Sequence, residues 1–189
     1  MNDAGTRIIS GSRDKSLRLW SIRNGECIAV LTGHTSAVSS VNFIDQVIIS
    51  GSIDKSMIIW NPSSEKALRT ITEGVTDKVY DIQINSDESL IACFYRGLTL
   101  YSWPKMNVVR SVDVITTSGC FHPSNPDILA IDDDNDYSIH IYHITKNEII
   151  HTFKGHNFDI QCLSFSPDGY RLISGSWDNT TRIWDTSDI

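Results

Sequence analysis

The chain has 189 residues, 40% hydrophobic and 21% charged, which is the composition of a globular domain with a real core. Its formal net charge of −7 repels phosphate backbones and anionic lipid, so nucleic acid and membrane surfaces are not the expected partners. No apolar run approaches the roughly 18 residues of a membrane helix. Met1-Asn2-Asp3-Ala4-Gly5 also lacks the segments of a secretory signal, and a cytoplasmic or nuclear location is expected.

In chain order, the first element is a strand, a tight turn and a second strand: Ile8-Ile9-Ser10-Gly11-Ser12-Arg13-Asp14-Lys15-Ser16-Leu17-Arg18-Leu19-Trp20. Asn24-Gly25 is a turn before a further strand, Cys27 to Leu31. Apolar residues then alternate in Val38-Ser39-Ser40-Val41-Asn42-Phe43, as in a half-buried strand. The opening motif returns as Ile48-Ile49-Ser50-Gly51-Ser52-Ile53-Asp54-Lys55-Ser56-Met57-Ile58-Ile59-Trp60. Two weaker copies follow and end at Tyr101 and Tyr142. Ile160-Gln161-Cys162-Leu163-Ser164-Phe165 alternates again, and Ser166-Pro167-Asp168-Gly169 is a turn. The motif closes the chain as Leu172-Ile173-Ser174-Gly175-Ser176-Trp177-Asp178-Asn179-Thr180-Thr181-Arg182-Ile183-Trp184. The endpoints 20, 60, 101, 142 and 184 are 40, 41, 41 and 42 residues apart. No stretch has the spacing and caps of a long helix, so the chain is expected to be all-β, built of four-stranded meanders.

This period, with its Gly-His and Trp-Asp marks, resembles the WD-repeat β-propeller family over nearly the whole chain. The resemblance implies a hydrogen-bonded tetrad of His, Ser or Thr, Asp and Trp in each blade. Here those would be His34, Ser50, Asp54 and Trp60, then His156, Ser174, Asp178 and Trp184. The first unit supplies Ser10, Asp14 and Trp20, with its His expected before Met1. In the unit ending at Tyr101, the turn Tyr95-Arg96-Gly97 has no Asp. In the unit ending at Tyr142, Asp136 remains, Asp132 is expected at the Ser place and Val112 at the His place. A Ser–His–Asp trio invites a hydrolase reading. Its recurrence at the repeat period argues for a structural staple and against an active site, and no enzymatic activity is expected.

The units run about 1–31 (partial), 32–71, 72–111, 112–153 and 154–189 (partial). That gives three complete four-stranded blades and two partial ones. Propellers commonly close with seven blades, so the expectation is an incomplete ring or a fragment of a seven-bladed propeller, with self-association through unpaired blade edges as a consequence.

Other chemistry is set aside on the residues. Asp132-Asp133-Asp134-Asn135-Asp136 resembles the opening of a calcium loop but has Tyr137 at the sixth place and His143 at the twelfth. His140 and His143 have opposite parity on a strand, which argues against a zinc site with His151. Phe94-Tyr95-Arg96-Gly97 lacks one arginine of the phosphoinositide motif it faintly resembles. Cys27, Cys93, Cys120 and Cys162 form no CxxC pair and are expected to be buried thiols. No cofactor and no metal are expected.

The resemblance also implies where partners touch a propeller face: the third and fifth residues after the His, and the residue before the turn Asp. These places hold Arg13; Ala37, Ser39 and Ile53; Lys78, Tyr80 and Tyr95; Ile115, Thr117 and Asn135; Asp159, Gln161 and Trp177. Aromatic residues and arginine dominate interface energetics, so Trp177 leads, with Tyr80, Tyr95, Arg13, Lys78, Asp159 and Gln161. The expected function is a scaffold or adaptor that binds a protein or peptide partner. The alternatives are a substrate-recognition or assembly subunit of a larger complex, such as a ubiquitin ligase, and a propeller fragment without independent function.

Overall fold

In the computed structural model, residues 5–189 are described, and their regular elements are eighteen strands. Every strand pairing is antiparallel. No helix among the described residues is long and apolar enough to cross a membrane. The strands form five sheets, each a simple meander. The first has three strands: β1 (Arg7–Gly11), β2 (Ser16–Ser21) and β3 (Cys27–Thr32). The second has four: β4 (Val38–Ile44), β5 (Val47–Ser52), β6 (Ser56–Asn61) and β7 (Lys66–Ile71). The third comprises β8 (Asp81–Ile84), β9 (Leu90–Phe94), β10 (Leu98–Ser102) and β11 (Asn107–Val112). The fourth comprises β12 (Gly119–Phe121), β13 (Ile128–Asp133), β14 (Ser138–His143) and β15 (Glu148–Phe153). The last has β16 (Ile160–Phe165), β17 (Arg171–Ser176) and β18 (Thr181–Asp185). Three four-stranded and two three-stranded sheets are the strand count of an incomplete propeller.

The chain divides into two compact units, Met1–Ile82 and Gln83–Ile189. In the first, Leu17, Leu19 and Leu31 of the first sheet pack with Ile48, Ile58 and Trp60 of the second. In the second unit, Phe94, Leu98 and Leu100 pack with Leu129, Ile131 and Tyr142, while Ile139 and Ile141 pack with Ile160, Leu163 and Leu172. The central strands are buried on both faces, which explains why β9 and the middle of β6 read as continuous apolar runs and not as alternating ones. Each fully buried Leu or Ile contributes about 1.5–3 kcal/mol. The outer strands β7, β11 and β15 are mostly exposed.

Sheet-to-sheet distance is set by side-chain size at one recurring place. A Cβ on Gly51 would sit 2.4 Å from Val79 Cγ1 and 2.9 Å from Ile82 Cδ1, so only glycine admits those neighbours. In the third sheet the equivalent place holds Phe94, and the small residue moves to the facing strand. A Cβ on Gly119 would lie 2.5 Å from Phe94 Cζ.

Two expectations need correction. The register pairs Ser50 with Ile58 and Ile131 with His140, each partner two residues before its Trp60 or Tyr142. Ile131, not Asp132, therefore stands at the Ser place of the fourth sheet. The β13–β14 hairpin spans Asp133 to Ser138 where β5–β6 spans Ser52 to Ser56, and this extra residue misplaces a count made back from Asp136. Among the cysteines, Cys93 and Cys120 are buried but Cys27 and Cys162 are exposed, and none is in a disulfide. Cys27 begins the outer strand β3 and Cys162 lies on an exposed position of β16, so an apolar sequence context overstated their burial.

Candidate functional site

Three hairpins share one local design. Lys15, Lys55 and Asn179 have φ of 74°, 67° and 65°, and their N–H groups bond to Ser12, Ser52 and Ser176 carbonyls, each at 3.2 Å. This is a three-residue loop, a turn followed by a left-handed residue. The Asp before each left-handed residue has one carboxylate oxygen held by the residue two further on. Ser16, Ser56 and Thr180 each donate a hydroxyl at 2.6 Å to Asp14, Asp54 and Asp178 Oδ1.

The other oxygen makes the staple in two of the three. In the first unit, Asp54 Oδ2 lies 2.9 Å from His34 Nδ1 and accepts the Thr35 N–H at 2.8 Å. His34 Nε2 is 2.7 Å from Ser50 Oγ, and Trp60 Nε1–H donates to that oxygen at 2.8 Å. An indole N–H can only donate and a carboxylate only accept. Every group is satisfied when Ser50 Oγ–H donates to a neutral imidazole at Nε2 and Nδ1–H donates to Asp54. The second unit repeats this: His156 Nδ1 to Asp178 Oδ2 at 2.7 Å, His156 Nε2 to Ser174 Oγ at 2.7 Å, and Trp184 Nε1–H to Ser174 Oγ at 2.9 Å. Ser10 accepts the Trp20 indole at 2.9 Å, and Asp14 lies 3.9 Å from Arg18. Ser50 and Ser174 are 0% exposed, so neither hydroxyl can meet a substrate.

Burial pushes the Asp54 carboxyl up, but the bonds from Ser56, the Thr35 N–H and His34 outweigh it and hold it below the usual carboxylate range. Asp178 is held well below that range, first by the Thr180 hydroxyl and then by His156 and the Asn157 N–H. Asp132 behaves oppositely. It is 1% exposed and accepts the Thr116 hydroxyl at 2.5 Å and the Ser118 N–H at 2.8 Å. Burial pushes it up to about 7, with the neighbouring Asp134 adding to the rise and the Thr116 and Ser118 bonds opposing it.

In the second unit the staple holds up an aromatic surface. Asn157 N–H donates to Asp178 at 3.1 Å, Ser176 Oγ–H to the Phe158 carbonyl at 2.9 Å, and Trp177 N–H to the Asp159 carbonyl at 3.0 Å. The loop after His156 and the hairpin around Asp178 are thereby one rigid piece. Trp177 is 63% exposed and Phe158 46%. Their rings stack at 6.4 Å and 19°, and Phe158 stacks on Tyr137 at 5.9 Å and 7°. Sequence reasoning singled out Trp177 but missed Phe158 and Tyr137. The signal for Phe158 was its place two residues after the stapled His. Tyr137 (φ 59°) sits in the lengthened β13–β14 hairpin, where no motif marks it.

The other sequence-nominated contacts divide by unit. Arg13, Lys78 and Tyr80 are exposed in the first, and Gln161 in the second, with Asp159 half-buried. Tyr95 does not belong with them. It is 8% exposed, its hydroxyl lies 2.9 Å from Thr99 Oγ1, and its ring covers Gly97. The shortened turn folds the ring inward, so Tyr95 offers little surface to a partner.

Among the described residues, Asp133, Asp136 and His140 bring three metal-type ligand atoms within 4.8 Å of one another. His140 Nε2 is already 3.2 Å from Asp133, and Lys154 Nζ is 2.8 Å from Asp136, so internal partners take up these groups.

The model of the WD domain, G-beta repeat, matches residues 1–21, 25–61 and 147–185, just over half of the chain. The chain belongs to the WD-repeat family. It is 26% identical over 185 residues to the serine-threonine kinase receptor-associated protein of Homo sapiens, covering 95% of this chain and 51% of that protein. The protein of that name from Dictyostelium discoideum is 29% identical over 192 residues, covering 95% and 62%. The nuclear distribution protein PAC1 of Arthroderma otae is 28% identical over 195 residues, covering 97% and 36%. This WD-repeat chain therefore spans about half the length of the receptor-associated relatives it matches. WD-repeat proteins are in general interaction scaffolds that bind protein partners and are not themselves enzymes.

Proposed function

We propose that this WD-repeat chain is a scaffold or adaptor that docks a protein or peptide partner at Trp177 and its stacked neighbours Phe158 and Tyr137. In this reading each of the five repeat units (1–31, 32–71, 72–111, 112–153 and 154–189) is a blade or part of one, and the tetrads hold the binding loops still. The observation that carries it is a 63% exposed tryptophan on a hairpin fixed by buried hydrogen bonds. A rigid, desolvation-ready aromatic is the residue type that anchors interfaces, and a held loop loses little entropy on binding. The relatives are named for association with a receptor and for nuclear distribution, which fits membership of a complex. The test compares proteins recovered from cells with the tagged wild-type chain, Trp177→Ala and Phe158→Ala, after matching their melting curves. Loss of specific partners in both variants supports the reading. An unchanged partner set overturns it.

A second reading, self-association through an open sheet, is favoured by one observation. β18 is paired on one side only, and Ile183 and Ile173 of the same sheet are 66% and 41% exposed. Light scattering behind a sizing column, with Ile183→Lys as control, separates it from a monomeric scaffold.

A further inference from the structure

Charge is distributed unevenly along the chain. Met1–Ile82 carries nine basic and nine acidic residues, whereas Gln83–Ile189 carries seven basic and fourteen acidic, so the whole net charge of −7 falls on the second unit. The aromatic stack belongs to that unit. Close to it in the chain are Asp136, next to Tyr137, and Asp159, next to Phe158. Lys154 neutralises Asp136 at 2.8 Å. No cation among the described residues pairs with the carboxylate of Asp159. That residue is tied to Trp177 through the backbone bond between the Trp177 N–H and its carbonyl. An open indole face and an unpaired carboxylate are thus held on one rigid piece of an acidic unit.

From this we infer that the partner docked at Trp177 presents an arginine side chain to it. The inference rests on the docking role proposed above and adds the chemistry of the partner. A guanidinium is flat and weakly hydrated, stacks on an indole face, and still has N–H groups at its edge for a carboxylate. An ammonium fills only the electrostatic half of this site. A neutral apolar side chain leaves Asp159 unanswered, and an acidic one is repelled.

The equivalent loop of the first unit shows that the scaffold does not demand these residues. It has the same bonds, Ile53 N–H to the Ala37 carbonyl at 3.0 Å and Ser52 Oγ–H to the Ser36 carbonyl at 3.2 Å, with a further contact from Ser52 Oγ–H to the Ala37 carbonyl at 2.8 Å. At the places of Trp177, Phe158 and Asp159 it has Ile53, Ser36 and Ala37. The aromatic faces and the carboxylate are additions to a common frame.

The test uses the ¹⁵N-labelled full chain and follows the Trp177 indole N–H, assigned by its absence in Trp177→Phe. The probes are Gly/Ser peptides of equal length carrying three arginines, three leucines or three glutamates. The arginine peptide is expected to shift that signal saturably and more weakly in high salt, with no shift from the glutamate peptide. Asp159→Asn is expected to weaken binding about fivefold with an unchanged melting curve, and Trp177→Ala to abolish it. Binding of the leucine or glutamate peptide at Trp177 as tight as that of the arginine peptide would overturn the arginine assignment and leave the docking role standing. If no peptide moves the signal while Trp177→Ala still loses partners from cells, the arginine assignment alone fails. If no peptide moves it and the partner set is also unchanged, both fail.

Discussion

The loop after His34 with the hairpin at Asp54, and the loop after His156 with the hairpin at Asp178, are the same object in hydrogen bonds and different objects on the outside. Both have His–Ser, His–Asp and Trp–Ser bonds within 2.7–2.9 Å. One shows a half-buried isoleucine where the other shows a tryptophan that is 63% exposed. Holding the loop and furnishing it are separate tasks for separate residues. A polar staple inside stays constant while the outward residues differ. It follows that variants inside the staple should act on stability, and variants outside it on binding.

The largest expected effect is His34→Ala. It removes the imidazole that links the Ser50 hydroxyl to Asp54 beside a Trp60 that is 0% exposed, and it opens a cavity. A loss of about 3 kcal/mol is expected in urea unfolding. His156→Ala should cost less, because Trp184 is only partly covered. It should also loosen the Phe158–Trp177 stack, which the Trp177 indole signal would report. Equal losses for the two variants would mean that burial of the Trp does not set the strength of the staple.

Next comes the pH dependence of the fourth sheet, which has no staple. Asp54 and Asp178 have depressed folded pKa values, so the stability they contribute is present above the unfolded value near 4 and lost as pH falls. Asp132 has the opposite sign. Its folded pKa is raised to about 7, so between about pH 4 and 7 the folded chain holds a proton that the unfolded chain has lost. Its contribution therefore falls as pH rises through that window and is flat above it. Asp132→Asn keeps an acceptor for Thr116 and Ser118 and carries no charge. It should match the wild type near pH 4 and be more stable at pH 8 by about 1–2 kcal/mol, or a few degrees in Tm. A variant less stable at pH 8 would show that the charged form is the one the pocket favours.

Trp177→Ile, which copies the first unit's residue into the second, should change stability by less than about 0.5 kcal/mol, since the side chain lies outside the strands and the core. It should still remove partner binding. A large fall in Tm would make Trp177 a packing residue and dissolve the division of labour.

These comparisons also show what was legible in the sequence. The period, the all-β class and the strand count were readable because three of the five units repeat Ser-Gly-Ser, a turn Asp and a Trp at fixed offsets and the other two keep an aromatic residue at the Trp place. The His–Ser–Asp–Trp sets could be named because the resemblance to the WD-repeat family implies them, and it agrees with the need of buried polar groups for partners. The middle sheets were harder. Phe94 and Gly119 exchange sizes across two sheets, and Asp132 sits one place from where a count suggested, since hairpin lengths differ and period alone cannot show it. Tyr95 looked like a surface residue until the shorter turn folded it inward. Phe158 and Tyr137 matter only because three rings meet in space, and no spacing within one unit carries that information.

The smallest effect expected is that of Lys154→Ala. Asp136 stands at the place of Asp54, but its partner is a lysine that is 71% exposed, not a buried imidazole, and its own side chain is 43% exposed. Lys154 and Ser138 draw the Asp136 carboxyl down to about 2. In a site this open, solvent and salt screen most of that interaction, so removal should cost less than about 0.5 kcal/mol. The Asp136 carboxyl should nevertheless titrate closer to an ordinary aspartate, which a ¹³C-detected pH series would register. The Ser138 N–H, which donates to Asp136 at 3.1 Å, keeps the turn formed without the lysine. If Lys154→Ala cost as much as His34→Ala, an exposed ion pair would hold this hairpin as firmly as the buried tetrad, and the distinction between stapled and unstapled sheets would collapse.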